Sequence, residues 1–100
     1  MAQYTLTNKA VEDLNSIWNY TFDKWSEEQA DHYYQMLLNA FRNKARDPSI
    51  GKKYIEIDSN IYGFKANRHI VFYQRRNVHS VLILRILHER MDLINRLTED

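Results

Sequence analysis

The sequence predicts an α+β fold in which an antiparallel two-helix hairpin packs on one face of an antiparallel sheet, and three observations carry that reading. Residues 8–46 contain two long stretches with apolar side chains at helical spacing, separated by only a few residues. Residues 61–88 contain short β-branched and aromatic runs broken by turn-forming residues. Within them, the run Val81-Leu82-Ile83-Leu84-Arg85-Ile86-Leu87 is too apolar for an ordinary surface strand. Side chains of a strand alternate between faces, so Leu82, Leu84 and Ile86 point one way and Val81, Ile83, Arg85 and Leu87 the other. A strand apolar on both faces belongs to a sheet covered on both sides.

Tyr4-Thr5-Leu6 reads as a short strand at a sheet edge, and Thr7 as the N-cap of the first helix. Ala10, Leu14, Ile17, Trp18, Thr21 and Phe22 define that helix as amphipathic over about 8–24. Ser26 with Gln29 forms a capping box, in which each side chain bonds the other's orphan backbone N–H. Ala30, Tyr33, Tyr34, Leu37, Phe41 and Ala45 carry the second helix to about Arg46, and Pro48 disfavours helix at Asp47. Gly51 and Asp58-Ser59-Asn60 punctuate the middle of the chain. Tyr54–Ile57 is a candidate strand, and Ile61–Ala66 is another with Tyr62, Phe64 and Ala66 on one face. Asn67-Arg68 is a tight turn between that strand and the next. Arg68–Gln74 and His79–Leu87 are strands joined by the polar loop Arg75-Arg76-Asn77-Val78, and Met91–Leu97 is a short C-terminal helix.

The helix hairpin covers one sheet face. For the other, only the C-terminal segment is at hand, so Val81, Ile83 and Leu87, with Ile70 and Phe72, are expected to be partly uncovered. Contiguous apolar surface of that kind marks a partner site. The alternative, a C-terminal helix folded back over that face, stays open.

At 100 residues, with two glycines and one proline, the chain reads as one domain spanning 1–100 with a small core and no long linker. The absence of cysteine excludes disulfides, thiolate metal sites and a cysteine nucleophile, and fits a reducing cytoplasm. No basic segment followed by an apolar run suggests a leader, and no apolar run approaches the roughly 20 residues of a membrane span. The net charge of +1 divides unevenly: residues 1–50 carry five Lys/Arg against seven Asp/Glu, and residues 51–100 nine against six. The mildly basic second half is weak grounds for a nucleic-acid partner, because a solvated mixed-charge surface accounts for it as well.

Taken in order, the motifs resemble the ParE branch of the RelE/ParE toxins of bacterial toxin–antitoxin pairs. The resemblance covers nearly the whole chain. It includes Tyr4-x-Leu6-Thr7, Ala10, Asp13-Leu14, Ile17-Trp18-x-Tyr20-Thr21, Trp25, Gln29-Ala30 and Tyr33. Pro48-x-Ile50-Gly51-Lys52 looks like the family's proline–glycine loop. The strongest matches are His69-Ile70-Val71-Phe72-Tyr73 and Arg85-Ile86-Leu87-His88-x-x-Met91-Asp92. Tyr62 departs from the pattern, since relatives often place an arginine before the central strands.

The resemblance implies a RelE/ParE-like fold, with a curved sheet whose open face receives an extended segment of a ParD-like antitoxin. It also implies a target. ParE toxins typically poison DNA gyrase, stalling it on cleaved DNA and blocking replication, whereas RelE-type relatives cut mRNA on the ribosome. On the first reading the chain is a non-enzymatic binder without a cofactor. Antitoxin contacts are expected from Ile70, Phe72, Val81, Ile83, Arg85 and Leu87, and target contacts, including DNA reached through the gyrase complex, from Arg75, Arg76 and Arg90.

The second reading needs a base for the 2′-hydroxyl proton, cations for the phosphate and an acid for the leaving oxygen. Lys65, Arg68, His69, Arg85, His88 and Arg90 are the available residues, with Arg85 and His88 as the core of such a site. His88 falls on the strand face opposite Arg85 unless a bulge or turn reorients it. A simpler role for His88 is a hydrogen bond with Asp92 where the strand ends, and for Arg85 an ion pair with an antitoxin carboxylate. No tyrosine or lysine follows Met91, where several ribonuclease relatives place a catalytic side chain. Metal binding has no support, because His32, His69, His79 and His88 lack close ligand spacing and His32 reads as solvated among acidic neighbours. The spacing of Trp18, Trp25, Tyr33 and Phe41 indicates core packing rather than base stacking. Glu27-Glu28 reads as favourable charge at a helix N-terminus.

Overall fold

A computed structural model describes residues 3–47, 52–53 and 60–90. The chain runs β1 (Gln3–Leu6), α1 (Asn8–Lys24), α2 (Glu27–Arg46), β2 (Lys52–Lys53), β3 (Tyr62–Ala66), β4 (His69–Asn77) and β5 (Ser80–His88). Both helices begin at the expected caps. Ala10 donates its backbone N–H to Thr7 Oγ1 (3.1 Å), and Gln29 donates to Ser26 Oγ (3.1 Å). Only Trp25 and Ser26 separate the helices, which forces an αα-hairpin.

The five strands form one sheet in the order β1-β5-β4-β3-β2. β3, β4 and β5 are an antiparallel meander, and β2 pairs antiparallel with β3 through Lys52↔Gly63 and Lys53↔Tyr62. The turn into β4 is made by Asn67, held at φ 58°, a left-handed conformation that asparagine tolerates better than most residues. The expectation of a purely antiparallel sheet is corrected at one edge: β1 lies parallel to β5, from Gln3↔Ser80 to Leu6↔Ile83. Parallel neighbours need a crossover, and the helix hairpin with the intervening strands supplies it. The β4–β5 arms are also longer than expected. Arg75, Arg76 and Asn77 belong to β4, and the loop is Val78-His79, closed by the His79 backbone N–H donating to Asn77 Oδ1 (3.1 Å). The candidate strand Tyr54–Ile57, the Pro48–Gly51 loop, Asp58-Ser59 and the C-terminal helix Met91–Leu97 with Asp92 lie outside the described residues.

The core lies between the helices and the sheet. Ala10 and Leu14 of α1, and Leu37, Phe41 and Ala45 of α2, pack on Ala66, Val71, Tyr73, Val81, Ile83 and Ile86. Tyr62 and Phe64 join from β3, as their alternation with Ala66 predicts. A second, smaller cluster on the opposite face comprises buried Ile61, Phe72 and Leu87, with Ile70 and Leu84 half-buried against them.

Two clusters exist because β5 changes phase. Phe72 pairs with Arg85 and Tyr73 with Ile83, so Leu84 is an extra residue, a β-bulge. Before it, Val81 and Ile83 face the helices. After it, Ile86 faces them and Leu87 faces away. The single open face expected for Ile70, Phe72, Val81, Ile83, Arg85 and Leu87 is therefore not formed. Val81 and Ile83 are fully buried beneath the hairpin, Phe72 and Leu87 are buried in the other cluster, and only Ile70 keeps partial exposure among the five apolar residues.

Candidate functional site

β1 ends at Leu6, which leaves the far part of the β5 edge without a neighbouring strand. The start of α1 takes over that pairing. The Thr7 backbone N–H donates to the Ile83 carbonyl (3.0 Å), and the Thr7 hydroxyl donates to the Leu84 carbonyl (2.8 Å). Nearly two turns on, Asp13 Oδ2 accepts the Ile86 backbone N–H (3.0 Å). The same carboxylate holds Arg85 in a two-point pair, Nε to Oδ2 at 2.8 Å and Nη2 to Oδ1 at 3.1 Å. Both side chains are only 14% exposed. Arg85, expected to meet a partner's carboxylate or a phosphate, is thus engaged by a carboxylate of its own chain in a geometry that guanidinium favours.

At the far end of the meander, His69 and His88 face each other across β4 and β5, with ring centroids 5.4 Å apart. Tyr33 of α2 lies over His69, its hydroxyl 2.6 Å from Nδ1. His88 Nδ1 accepts the Arg90 backbone N–H (3.1 Å). Burial pushes the His69 imidazole down to about 4, helped by His88 and opposed by the carboxylates of Asp13 and Glu89. Burial raises the Tyr33 phenol, against the lowering effect of the adjacent Arg68 backbone N–H and charge. On the exposed rim Lys65 pairs with Glu89 at 3.2 Å, and the Glu89 backbone N–H donates to the Arg68 carbonyl (3.0 Å). The hydrogen bond to Lys65 is the leading cause of the lowered Glu89 carboxyl.

Of the residues singled out as possible acid–base chemistry, the fold therefore joins His69 to His88 and adds Tyr33, which helical spacing had assigned to the core. It ties Arg85 to Asp13 instead. The cross-strand pairing is the signal that could have been read: with Asn67-Arg68 as the turn, His69 and His88 flank the same end of the hairpin. Among the described residues no group of three or more His, Asp or Glu is placed to hold a metal ion.

Two further surfaces frame α2. At its C-terminal end, His79 Nδ1 lies 3.2 Å from the Arg46 carbonyl, which brings the β4–β5 turn with exposed Arg75 and Arg76 beside the helix terminus carrying Arg46. Arg90 is also exposed, at the opposite end of β5. Beyond the sheet, the hairpin tip exposes Trp25 (75%), Tyr20 (63%) and Phe22 (45%). Trp25 is thus not a core residue. Helical spacing placed it on the apolar face, but α1 ends at Lys24 and Trp25 leaves the helix with φ −127° and ψ −83°. Trp18, half-buried, stacks on Phe22 at 5.3 Å and donates its indole N–H to Asp31 Oδ1 (3.0 Å). A groove of about 440 Å³ separates α2 from β3 and is lined in part by Met36, Asn39, Ala40, Lys65 and Ala66. No described helix is long and apolar enough to cross a membrane.

The family model described as ParE toxin of type II toxin–antitoxin system, parDE, matches residues 4–93. Toxin ParE1 of Mycobacterium tuberculosis is 33% identical over 92 residues, covering 92% of this chain and 94% of that protein. Toxin ParE1 of Caulobacter vibrioides shows the same identity and coverage. Toxin ParE of Escherichia coli is 32% identical over 99 residues, covering 99% and 96%. Among solved structures, a chain of a chromosomal ParDE TA system from P. aeruginosa superposes with a TM-score of 0.74 over 88% of this chain and 96% of that one. Its 17% identity bears on the fold alone.

Proposed function

From the premise that this chain belongs to the ParE toxin family of type II toxin–antitoxin systems, we propose that it poisons DNA gyrase by binding it and is neutralised by a ParD-like antitoxin. The observation that favours a binding poison over an mRNA endoribonuclease is the Asp13–Arg85 pair. A phosphodiester-cleaving site would need Arg85 directed at the scissile phosphate beside His88. Here its guanidinium is matched by a carboxylate of α1, while His88 accepts a backbone N–H. The exposed surfaces suit contact rather than bond chemistry. Trp25, Tyr20 and Phe22 are side chains of the kind that anchor protein interfaces. Arg75, Arg76 and Arg90 are exposed cations suited to an acidic protein surface or to the DNA that gyrase holds.

The antitoxin surface takes a narrower form than the six residues expected from alternation. Ile70 and Leu84 form the accessible rim of the second apolar cluster, over Phe72 and Leu87. The groove between α2 and β3 offers Met36, Ala40 and Ala66 to apolar side chains and Lys65 to an acidic one. The groove suits an extended acidic and apolar antitoxin segment, and the Ile70–Leu84 rim is a separate contact on the opposite sheet face.

The deciding experiment is a gyrase supercoiling and cleavage assay with the purified chain, with and without antitoxin. Inhibition with accumulation of cleaved DNA, reversed by antitoxin, is the expected result. Full gyrase activity at micromolar protein, with mRNA cut on ribosomes, would replace this reading by the nuclease.

A further inference from the structure

A cavity of about 550 Å³ opens between α1 and α2, and no sheet residue borders it. Each helix supplies three side chains at positions i, i+3 and i+4, which share one helical face. Asn15, Trp18 and Asn19 line it from α1, and Asp31, Tyr34 and Gln35 from α2. The Trp18 indole N–H donates to Asp31 Oδ1 at 3.0 Å and bridges the two sides. Phe22, one turn nearer the hairpin tip, stacks on Trp18 and holds the indole in place. The chemistry of the lining is one-sided. Asp31 carries its only formal charge, and no Lys, Arg or His contributes. The indole gives that carboxylate a neutral donor, and among the described residues no cation pairs with it. His32, its neighbour in sequence, lines the groove on the β3 side of α2. The side-chain amides of Asn15, Asn19 and Gln35 and the Tyr34 hydroxyl bond to no described residue. Helical spacing adds further exposed acids around the cavity: Glu27 and Glu28 lie one turn before Asp31, and Asp23 one turn after Asn19. Lys24 is directed over the Tyr20 ring instead, at 5.9 Å.

We propose that this cavity is a docking site for an arginine side chain, presented by a basic segment of a partner protein. The site is independent of the gyrase and antitoxin contacts proposed above. A guanidinium offers five N–H donors in a planar fork and no acceptor. The Asp31 carboxylate, the amide oxygens and the Tyr34 hydroxyl are acceptors for that fork, and Trp18 and Tyr34 are aromatic surfaces for its plane. A lysine ammonium would reach the carboxylate but has neither the fork nor the plane. Nucleic acid is disfavoured, because its phosphates would meet Asp31, Glu27 and Glu28. The same acids favour a segment with additional basic residues over a free amino acid.

The test uses the chain's two tryptophans, Trp18 in the cavity and Trp25 outside it. The probe is arginine capped as its N-acetyl amide, added to the ¹⁵N-labelled chain. The Trp18 indole N–H signal should shift saturably, with a dissociation constant on the order of 1 mM, while that of exposed Trp25 stays in place. The capped lysine analogue should need at least about fivefold more. Asp31→Asn keeps an acceptor for the indole and should abolish saturation. Glu28→Gln removes a charge outside the lining and should change the capped-arginine response less than about twofold. A short peptide with arginine flanked by lysines should bind about tenfold tighter than the capped residue at low salt. Equal responses to arginine and lysine, equal shifts at Trp18 and Trp25, or saturation surviving Asp31→Asn would overturn the site. A Trp18 response to a neutral glycoside but not to arginine would overturn it in favour of a carbohydrate. Peptide and capped residue binding equally well would overturn the protein-segment assignment in favour of a small guanidinium compound.

Discussion

Asp13 is the side chain whose loss should cost the fold most among the charged residues. It accepts hydrogen bonds from the Arg85 guanidinium and from the Ile86 backbone N–H, and it is mostly removed from water. Replacing it leaves a largely buried guanidinium and a strand N–H without their acceptor, so Asp13→Ala should destabilise the chain by about 3 kcal/mol in urea unfolding. The double change Asp13→Leu with Arg85→Met should cost clearly less, because removing both charges avoids the unpaired one. Equal losses would show that the pair itself is unimportant. His69 supplies a pH dependence whose sign is set by its environment. The unfolded ring takes up a proton near its ordinary 6.5, whereas the folded ring, half-buried beneath Tyr33 and beside His88, does so only at about 4 despite Asp13 and Glu89. Between these values the unfolded chain binds more protons. Stability is therefore full above about pH 6.5, declines as pH falls through the window, and levels off below about 4. With allowance for solvent screening of a half-exposed ring, the effect is on the order of 1 kcal/mol. Urea midpoints at pH 7.5 and 5.0 should differ in the native chain and converge in His69→Gln; an unchanged difference would assign it to other groups.

Thr7 links two elements with a single hydroxyl, which caps α1 by accepting from Ala10 and holds the β5 edge by donating to Leu84. Thr7→Ala should therefore cost about 2 kcal/mol, more than the loss of an exposed cap, and Thr7→Ser should restore most of it. Ser26 caps α2 in an exposed loop, so Ser26→Ala should cost about 1 kcal/mol or less. If the two alanine variants unfold at the same urea concentration, the Leu84 contact contributes nothing. That contact also anchors the bulge that sorts β5: without Leu84 as an extra residue, Leu87 would turn toward the helices and Ile86 away from them.

The molecule as a whole presents two different ends along α2, whose 20 residues span about 30 Å. One end is the aromatic tip with Trp25, Tyr20 and Phe22, flanked by Glu27 and Glu28 in the first turn of α2. The other joins Arg46 to the turn just after Arg75 and Arg76. Trp25→Ala should leave stability within about 0.5 kcal/mol of native yet weaken gyrase inhibition several-fold, as expected of an exposed anchor. Arg75→Ala with Arg76→Ala should weaken inhibition increasingly as salt is lowered toward conditions where phosphate contacts count most. If both variants inhibit as the native chain does, these ends are not the target surface.

The elements themselves were legible in the sequence because their causes are local. Thr7 and Ser26 start the helices through hydroxyls that reach only three residues ahead, apolar spacing defines the packed helix faces, and Asn67 makes its turn through its own backbone tolerance. Family membership was legible too, because it rests on the order of motifs along the chain. Three features were decided only in three dimensions. The parallel placement of β1 depends on where a long crossover returns. The division of β5 between two apolar clusters depends on a bulge at Leu84, marked by neither glycine nor proline, and that one extra residue undoes strict alternation over Arg85 to Leu87. The partners of Arg85 and His88 lie 72 residues away on α1 and across the hairpin on β4. Residue type and spacing determine what a side chain can do; which groups it meets is set by the packing of distant segments, and here packing gave Arg85 to Asp13 and brought His69 to His88.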